Sequence, residues 1–275
     1  MSWLTDLLKA FAGLGQARPP RSGNGASSFH LTWDIPVDRS APEGFVEVSA
    51  VLEIVVPPSV SKLYYWALQV DFAEAGRSIA GAHTGLQWNP RFSTHRAVNW
   101  GGYASSDRGG FVLSGTGSTL AGFADDPNTL AYPWQSGRSY RLRVFHSPEL
   151  AGAWRSEITD LSTGASTVVR DLLPQDPPSG GEVYLLRPVV WSEVFAACDA
   201  PSVTVRWSDL RAVDRLGRQV GPITAIVNYQ AWEAGGCPNT SAGIDSDGSL
   251  SQTTNTQRVV GQGARLSLPG SASPS

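Results

Sequence analysis

Apolar and polar residues alternate along most of the chain, beginning at Phe29. Successive side chains of a β-strand point to opposite faces, so this alternation predicts strands with one buried and one polar face. Such segments recur about every 10–15 residues, separated by Gly, Pro, Asn, Asp or Ser. The pattern predicts an antiparallel all-β fold, a two-sheet sandwich or jelly roll of the concanavalin-like type.

The N-terminal part of the chain follows a helical period instead. Apolar residues fall on one stripe of a helix over residues 3–14, which Ser2 can cap and Gly15 can end. This amphipathic helix could dock on its own domain, on a partner protein or on a membrane surface, and its weakly charged polar face argues against the membrane. We predict four parts, namely a helix (1–15), a linker (16–28), a single β-sandwich domain (29–266) and a flexible tail (267–275).

The alternation also assigns faces to three neighbouring segments, 64–72, 83–88 and 95–103. One face of each is bulky and apolar and is expected in the core. The other combines amides, His, Tyr and Asp with small residues that leave room for a ligand to approach the backbone. With two arginines and a glutamate from later segments, the candidate ligand-binding residues are Tyr65, Gln69, Asp71, His83, Gln87, Asn99, Tyr103, Arg141, Arg143 and Glu193.

A polar and aromatic concave face of this kind is typical of carbohydrate sites. Sugar hydroxyls need paired hydrogen-bond donors and acceptors, and sugar C–H faces stack on aromatic rings. The first hypothesis is therefore a protein that binds a carbohydrate or another polar ligand. The plainer alternative is a polar outer sheet face that binds nothing, and for Trp191, Glu193 and Phe195 the pattern leaves open which face is inward.

The middle of the chain resembles an uncharacterised family of bacterial β-sandwich proteins. The resemblance lies in Tyr64-Tyr65-Trp66, in the stretch from Gly81 to Gln87 and in Trp100-Gly101-Gly102-Tyr103, within roughly residues 60–215. It implies a sandwich fold, frequent export and occasional association with carbohydrate-active modules, but no defined chemistry.

An enzyme on the same face is the second hypothesis. In a polysaccharide lyase, Gln87 and Arg141 would neutralise a uronate carboxylate, His83 would take the C5 proton and Tyr103 would protonate the leaving oxygen. A glycoside hydrolase needs two carboxylates about 5–9.5 Å apart, and the spacing of Glu193, Asp71 and Glu74 does not pair them. A third hypothesis is an assembly protein that docks through helix 3–14.

Composition and residue spacing limit the classes of partner and cofactor that this protein could bind. The net charge of −3 argues against a nucleic-acid-binding protein, which would carry an excess of basic residues. The sequence contains no apolar run of 18 residues, so we predict no transmembrane span. The four histidines lie on separate segments without metal-ligand spacing, so we predict no metal and no cofactor. A calcium loop around Asp245 and Asp247 is the weaker alternative to an ordinary Asp-Gly turn.

The two cysteines, Cys198 and Cys237, lie in loop-like segments without metal-binding spacing. We predict a disulfide between them, with two free buried thiols as the alternative. A disulfide favours a secreted or cell-surface protein, because oxidising compartments preserve such bonds. The first residues do not form a signal peptide, so a cytoplasmic location stays open.

Overall fold

The structure is a computed structural model that describes residues 19, 21–36, 41–176 and 180–269. The predicted helix over residues 3–14 and the end of the predicted tail, residues 270–275, lie outside the described residues. The strands are β1 (Ser27–Asp34), β2 (Phe45–Val56), β3 (Tyr64–Glu74), β4 (Arg77–Trp88), β5 (Arg96–Ala104), β6 (Ser114–Gly115), β7 (Gly122–Phe123), β8 (Asp126–Ala131), β9 (Ser139–His146), β10 (Trp154–Asp160), β11 (Ala165–Leu173), β12 (Val183–Val194), β13 (Thr204–Asp214), β14 (Gln219–Val220), β15 (Thr224–Tyr229), β16 (Ser241–Ile244), β17 (Leu250–Thr253) and β18 (Arg265–Ser267).

Two short 3₁₀-helices lie between strands, Ser106–Arg108 between β5 and β6 and Trp232–Ala234 between β15 and β16. Among the residues that the structure describes, no helix is long and apolar enough to cross a membrane.

The strands form one curled antiparallel sheet with two arms. The first arm has the order β18-β15-β1-β12-β3-β4-β5-β8-β7. The second arm has the order β16-β17-β13-β2-β9-β10-β11-β6, with β14 also beside β13. Leu185 of β12 pairs with Phe45 of β2 and joins the arms. The antiparallel all-β prediction is confirmed, but the strands are not divided into two separate sheets.

The core consists of apolar side chains from both arms. The Phe72 and Trp154 rings lie 5.6 Å apart between β3 and β10, and the hydroxyls of Thr84 and Ser156 are 2.6 Å apart. The bulky face predicted for β3 is confirmed, because its five side chains are almost completely buried: Tyr64, Trp66, Leu68, Val70 and Phe72. This packing fixes which face of β3 and its neighbours points away from the core.

Cys198 and Cys237 form the predicted disulfide. We expect the double variant Cys198→Ala/Cys237→Ala to lose about 4 kcal/mol of unfolding free energy, because the bridge restricts a loop of 39 residues in the unfolded chain. Urea unfolding of the oxidised wild type and the variant measures this difference. Reduced wild type is the matched control and should behave like the variant; equal midpoints for oxidised protein and variant would contradict the prediction.

The second arm buries an ion pair between β10 and β11. The Arg155 guanidinium donates from Nε to Asp171 Oδ1 at 2.8 Å and from Nη2 to Oδ2 at 3.0 Å. Both residues are more than nine-tenths buried, and Ser147 Oγ also donates to Asp171 Oδ2 at 2.8 Å. Burial alone would raise the pKa of Asp171, but the hydrogen bonds and charge of Arg155 hold it below its usual range.

Candidate functional site

The candidate site lies on the face of the first arm that points away from the core, here called the outer face. Antiparallel partners share a face, and Glu193 of β12 lies opposite Ser28 of β1 and Tyr65 of β3. Val190, Ser192 and Val194 of β12 are buried towards the core, so Trp191 and Glu193 point outward. The structure thus decides the face that the sequence left open. The outer face carries Ser28, His30, Tyr65, Gln69, His83, Gln87, Asn99, Trp191 and Glu193.

Three rings on the outer face pack against one another. The centroids of Tyr65 and Trp191 are 4.9 Å apart, and the His83 ring lies 5.5 Å from Tyr65 and 5.6 Å from Trp191. Tyr65 and Trp191 are only 4% and 6% exposed, and Trp191 Nε1 donates to Gln69 Oε1 at 3.0 Å. We call Tyr65, His83 and Trp191 the ring cluster. The three rings pack against one another, so they do not form the open stacking surface that the sequence predicted.

Two predicted amides of the outer face are also engaged internally. Tyr65 Oη donates to Asn99 Oδ1 at 2.9 Å, and Asn99 Nδ2 donates to Thr129 Oγ1 at 2.8 Å. Gln87 accepts a hydrogen bond from Asn89 Nδ2 at 2.8 Å. Gln87 and Asn99 are both buried; Asn99 links strands β3, β5 and β8, and the Gln87 bond is local to the end of β4.

The space beside the glycines is filled by the protein itself. A Cβ on Gly85 would lie 1.9 Å from the carbonyl oxygen of Trp66, and one on Gly101 would lie 2.7 Å from Asn128 Cγ. The expectation that small residues leave room for a ligand is wrong at these two positions, because neighbouring chain atoms occupy that room.

We therefore expect Gly85→Ala to destabilise the fold by about 1–3 kcal/mol, since the added methyl group meets backbone that cannot rotate away. Thermal unfolding followed by circular dichroism measures the loss. Gly117→Ala is the control, because nothing lies within 4 Å of its added methyl group. A Gly85→Ala melting temperature equal to that of the control would refute the steric argument.

The remaining predicted residues lie apart from the ring cluster. Tyr103 is 57% exposed at the end of β5, opposite Gly81, and Asp71 pairs with Arg187 on the other side of Gly81. Arg141 and Arg143 lie on β9 of the second arm, where they pair with Asp209 and Glu47. The structure does not bring these two arginines to the outer face, because β9 hydrogen-bonds to β2 and β10.

The loop with Asp245 and Asp247 is occupied by protein donors. Asp245 accepts hydrogen bonds from Arg206 Nε at 2.9 Å and from Ser251 Oγ at 3.0 Å, and Asp247 accepts from Ser249. In the described part of the chain, no group of three His, Cys, Asp or Glu side chains is placed to hold a metal ion.

Glu193 is the acidic group beside the ring cluster. Its side chain is half-buried, and Asn24 Nδ2 donates to its Oε1 at 2.6 Å. Burial raises the pKa of Glu193 above its usual range, and the Asn24 hydrogen bond opposes that rise. Burial lowers the pKa of His83 to about 4, so its imidazole is neutral at neutral pH. A carboxyl with a raised pKa beside neutral rings is suited to giving and taking protons.

Asn24 is a site residue that the sequence analysis missed, because it lies within the predicted linker. The Asn24-Gly25 pair is typical of a turn, and this was the local signal in the sequence that the stretch is ordered. Nothing in the local pattern connects Asn24 with a glutamate that lies 169 residues away.

The chain matches no family model and no curated protein. Among solved structures, it is similar to Scytalido-glutamic peptidase bound to a peptide-based transition-state analogue, with 13% identity, 82% of this chain and 97% of that chain covered, and a TM-score of 0.44. It is also similar to SCP-B, a member of the Eqolisin family of peptidases, with 13% identity, coverage of 84% and 98%, and a TM-score of 0.42. Peanut lectin matches at 11% identity, coverage of 86% and 84%, and a TM-score of 0.25.

These findings correct the functional prediction. Scytalido-glutamic peptidase and SCP-B, to which the chain is similar, are peptidases and not carbohydrate-binding proteins. In this chain, the rings expected to stack on sugars pack on one another, and the Gln87 and Asn99 amides bond within the protein. The prediction of a carbohydrate-binding protein, with its lyase and glycoside-hydrolase variants, is wrong.

Proposed function

We propose that this protein is a hydrolase that cleaves peptide bonds, with the Glu193 carboxyl as its general acid–base group. The observation that carries the proposal is the setting of Glu193, a half-buried carboxyl with a raised pKa beside neutral rings and a side-chain amide. Peptide is the substrate class of the peptidases named above. Because their TM-scores are below 0.5, the support comes from the site in this chain.

The reaction assigns one proton-transfer group and one hydrogen-bond donor. The Glu193 carboxylate takes a proton from a water molecule as the water oxygen bonds to the carbonyl carbon of the substrate. The carboxyl then gives that proton to the amide nitrogen, and the carbon–nitrogen bond breaks to release an acid and an amine. The Asn24 amide has two N–H groups, one of which binds Glu193, and the second is the donor that we assign to the developing oxyanion.

The ring cluster supplies the surroundings that this chemistry needs. Tyr65, which pairs with Glu193 across β3 and β12, and Trp191 are both buried, and burial raises the pKa of Glu193. Burial, followed by the charge of Glu193, raises the pKa of Tyr65 well above its usual range. Tyr65 and His83 therefore remain uncharged near neutral pH, and the proton transfers fall to Glu193.

The test is a cleavage assay with an unfolded protein and a mixed peptide library, run from acidic to neutral pH and followed by mass spectrometry. We expect defined cleavage products whose rate of formation rises with the ionised fraction of Glu193. Heat-inactivated protein is the control for contaminating or spontaneous cleavage. Wild-type protein that produces no cleavage at any pH would overturn the proposal.

We also propose that the two arms form the layers of a jelly-roll sandwich. In support, side chains of β3 and β4 meet those of β10, and Gln252 of β17 accepts a hydrogen bond from Ser192 of β12 at 3.0 Å. An experimental structure in which a full hydrogen-bond ladder joins β12 to β2 would contradict this classification.

A further inference from the structure

The Asn24 side chain reaches Glu193 from a turn that precedes the first strand. Gly25 N donates to the Ser22 carbonyl at 3.0 Å, and Asn24 Oδ1 accepts from Ala26 N at 3.0 Å. The hydrogen bond from Ala26 N holds Asn24 Oδ1 towards the backbone of the turn. It therefore directs Nδ2 towards Glu193, which it meets at 2.6 Å.

Gln230, just after β15, ties this turn to the sheet. Its Oε1 accepts from Ser28 N at 2.7 Å and from Ser28 Oγ at 2.9 Å, and its Nε2 donates to the Ala26 carbonyl at 3.3 Å. Nε2 also donates to the Ala234 carbonyl at 2.6 Å. One side chain thus connects residues 26–28 with the loop after β15.

The disulfide also connects the segment after this turn with the strand that carries Glu193. Cys237 N donates to Ser27 Oγ at 2.8 Å in a buried contact. Its disulfide partner, Cys198, lies in the segment after β12, five residues beyond Glu193. The segments carrying Asn24 and Glu193 are therefore joined through Ser27, Cys237 and Cys198.

We propose that Asn24, besides its assigned role as oxyanion donor, positions Glu193, and that Gln230 together with the Cys198–Cys237 bridge holds Asn24 in place. The inference rests on the proposed function, because it concerns the same carboxyl. It adds that the acid–base group depends on side chains from three separate parts of the sequence. It also assigns a role to Gln230, which is not expected to touch the reacting atoms.

The carboxyl can be followed without any activity assay. The titratable side chains that share the outer face with Glu193 are His30 on β1, Tyr65 and Asp71 on β3, His83 on β4 and Tyr103 on β5, and the charges of Glu193, Asp126 and Tyr103 act on Tyr65. Burial lowers the pKa of both histidines and raises that of Tyr65. A carbon-detected NMR titration of the Glu193 carboxyl, assigned with Glu193→Gln, therefore reports on that group alone.

The experiment compares Asn24→Ala, Gln230→Ala and the double variant. Removal of the Asn24 amide takes away a hydrogen bond that favours the ionised form, so the titration midpoint of Glu193 should move to higher pH. Gln230→Ala should move it in the same direction, and the double variant should move it no further than Asn24→Ala alone. The maximal cleavage rate of Asn24→Ala should fall about tenfold or more, as expected for loss of a charge-assisted hydrogen bond.

Gln262→Ala is the matched control, because Gln262 bonds to Tyr229 N and Asn228 at the other edge of β15. Its Glu193 midpoint should equal that of wild type. Circular dichroism spectra and melting curves establish that each variant is folded. A wild-type midpoint in Gln230→Ala, or additive shifts in the double variant, would overturn the inference, whereas a wild type that titrates as expected but cleaves no peptide would overturn the proposed function alone.

Discussion

Replacement of Glu193 by glutamine is expected to lower kcat/KM for peptide hydrolysis by about 10²–10⁴-fold. Glutamine has nearly the same shape and can still accept the hydrogen bond from Asn24 Nδ2, so the site should keep its geometry. It cannot take a proton from water or return one to the leaving nitrogen. Steady-state kinetics on a peptide cleaved by wild type measures the loss.

Glu53→Gln is the matched control for this substitution. Glu53 is a partly buried glutamate of β2 in the second arm, where it pairs with Arg206 at 3.6 Å, and it does not share the outer face. Its kinetics should equal those of wild type. If Glu193→Gln retained wild-type kcat/KM, the assignment of Glu193 as the acid–base group would have to be abandoned.

Glu193→Gln, which should lose activity, is not expected to lose stability. The pKa of Glu193 is raised in the folded state, so the folded protein binds this proton more tightly than the unfolded chain. The stabilisation is complete below the unfolded pKa and is lost as pH rises through the folded pKa. At neutral pH, the burial of a charged carboxylate therefore costs stability, and we expect Glu193→Gln to unfold at a temperature equal to or higher than that of wild type.

The period of two along the strands predicts which side chains face the core, although several side chains of the opposite face, such as Tyr65 and Asn99, are buried as well. The side chains of Tyr64, Trp66 and Leu68 are buried as the alternation requires, and Thr84 and Leu86 follow the same rule on β4. The disulfide was also predictable from two cysteines in loop-like segments. These features depend on local pattern or on residue type, which a single sequence contains.

The site was less predictable because it depends on strand register. Tyr65 meets His83 and Trp191 only because β3 pairs with both β4 and β12, and the β3–β12 register shifts between Leu186 and Val189. Such a shift changes which side chains are neighbours without leaving a periodic signal. The assignment of Arg141 and Arg143 to the outer face failed for a related reason, since alternation assigns a face of a strand but not the arm to which the strand belongs.

Breaking the Arg155–Asp171 pair is expected to have the largest effect on stability. Asp171→Asn removes the buried carboxylate that compensates a guanidinium that is 7% exposed, and leaves only the 76% exposed Glu149 as its partner. We expect a loss of about 3–5 kcal/mol of unfolding free energy, because the exposed pair is screened by solvent. Urea unfolding at neutral pH measures it. Asp107→Asn is the control, because the Asp107–Arg77 pair is solvent-exposed at 3.8 Å and its loss should leave the midpoint unchanged.

The acid dependence of stability provides a second test of the same pair. The folded pKa of Asp171 is lowered, so its contribution is present above the unfolded pKa of an aspartate and is lost as pH falls through the folded pKa. Wild type should therefore lose stability on acidification more steeply than Asp171→Asn, and the two unfolding curves should converge at low pH. Replacement of both partners, in Arg155→Met/Asp171→Leu, should recover much of the loss, because no buried charge is then left unpaired. A double variant as unstable as Asp171→Asn would show that this part of the second arm depends on the shape of the pair more than on its charge.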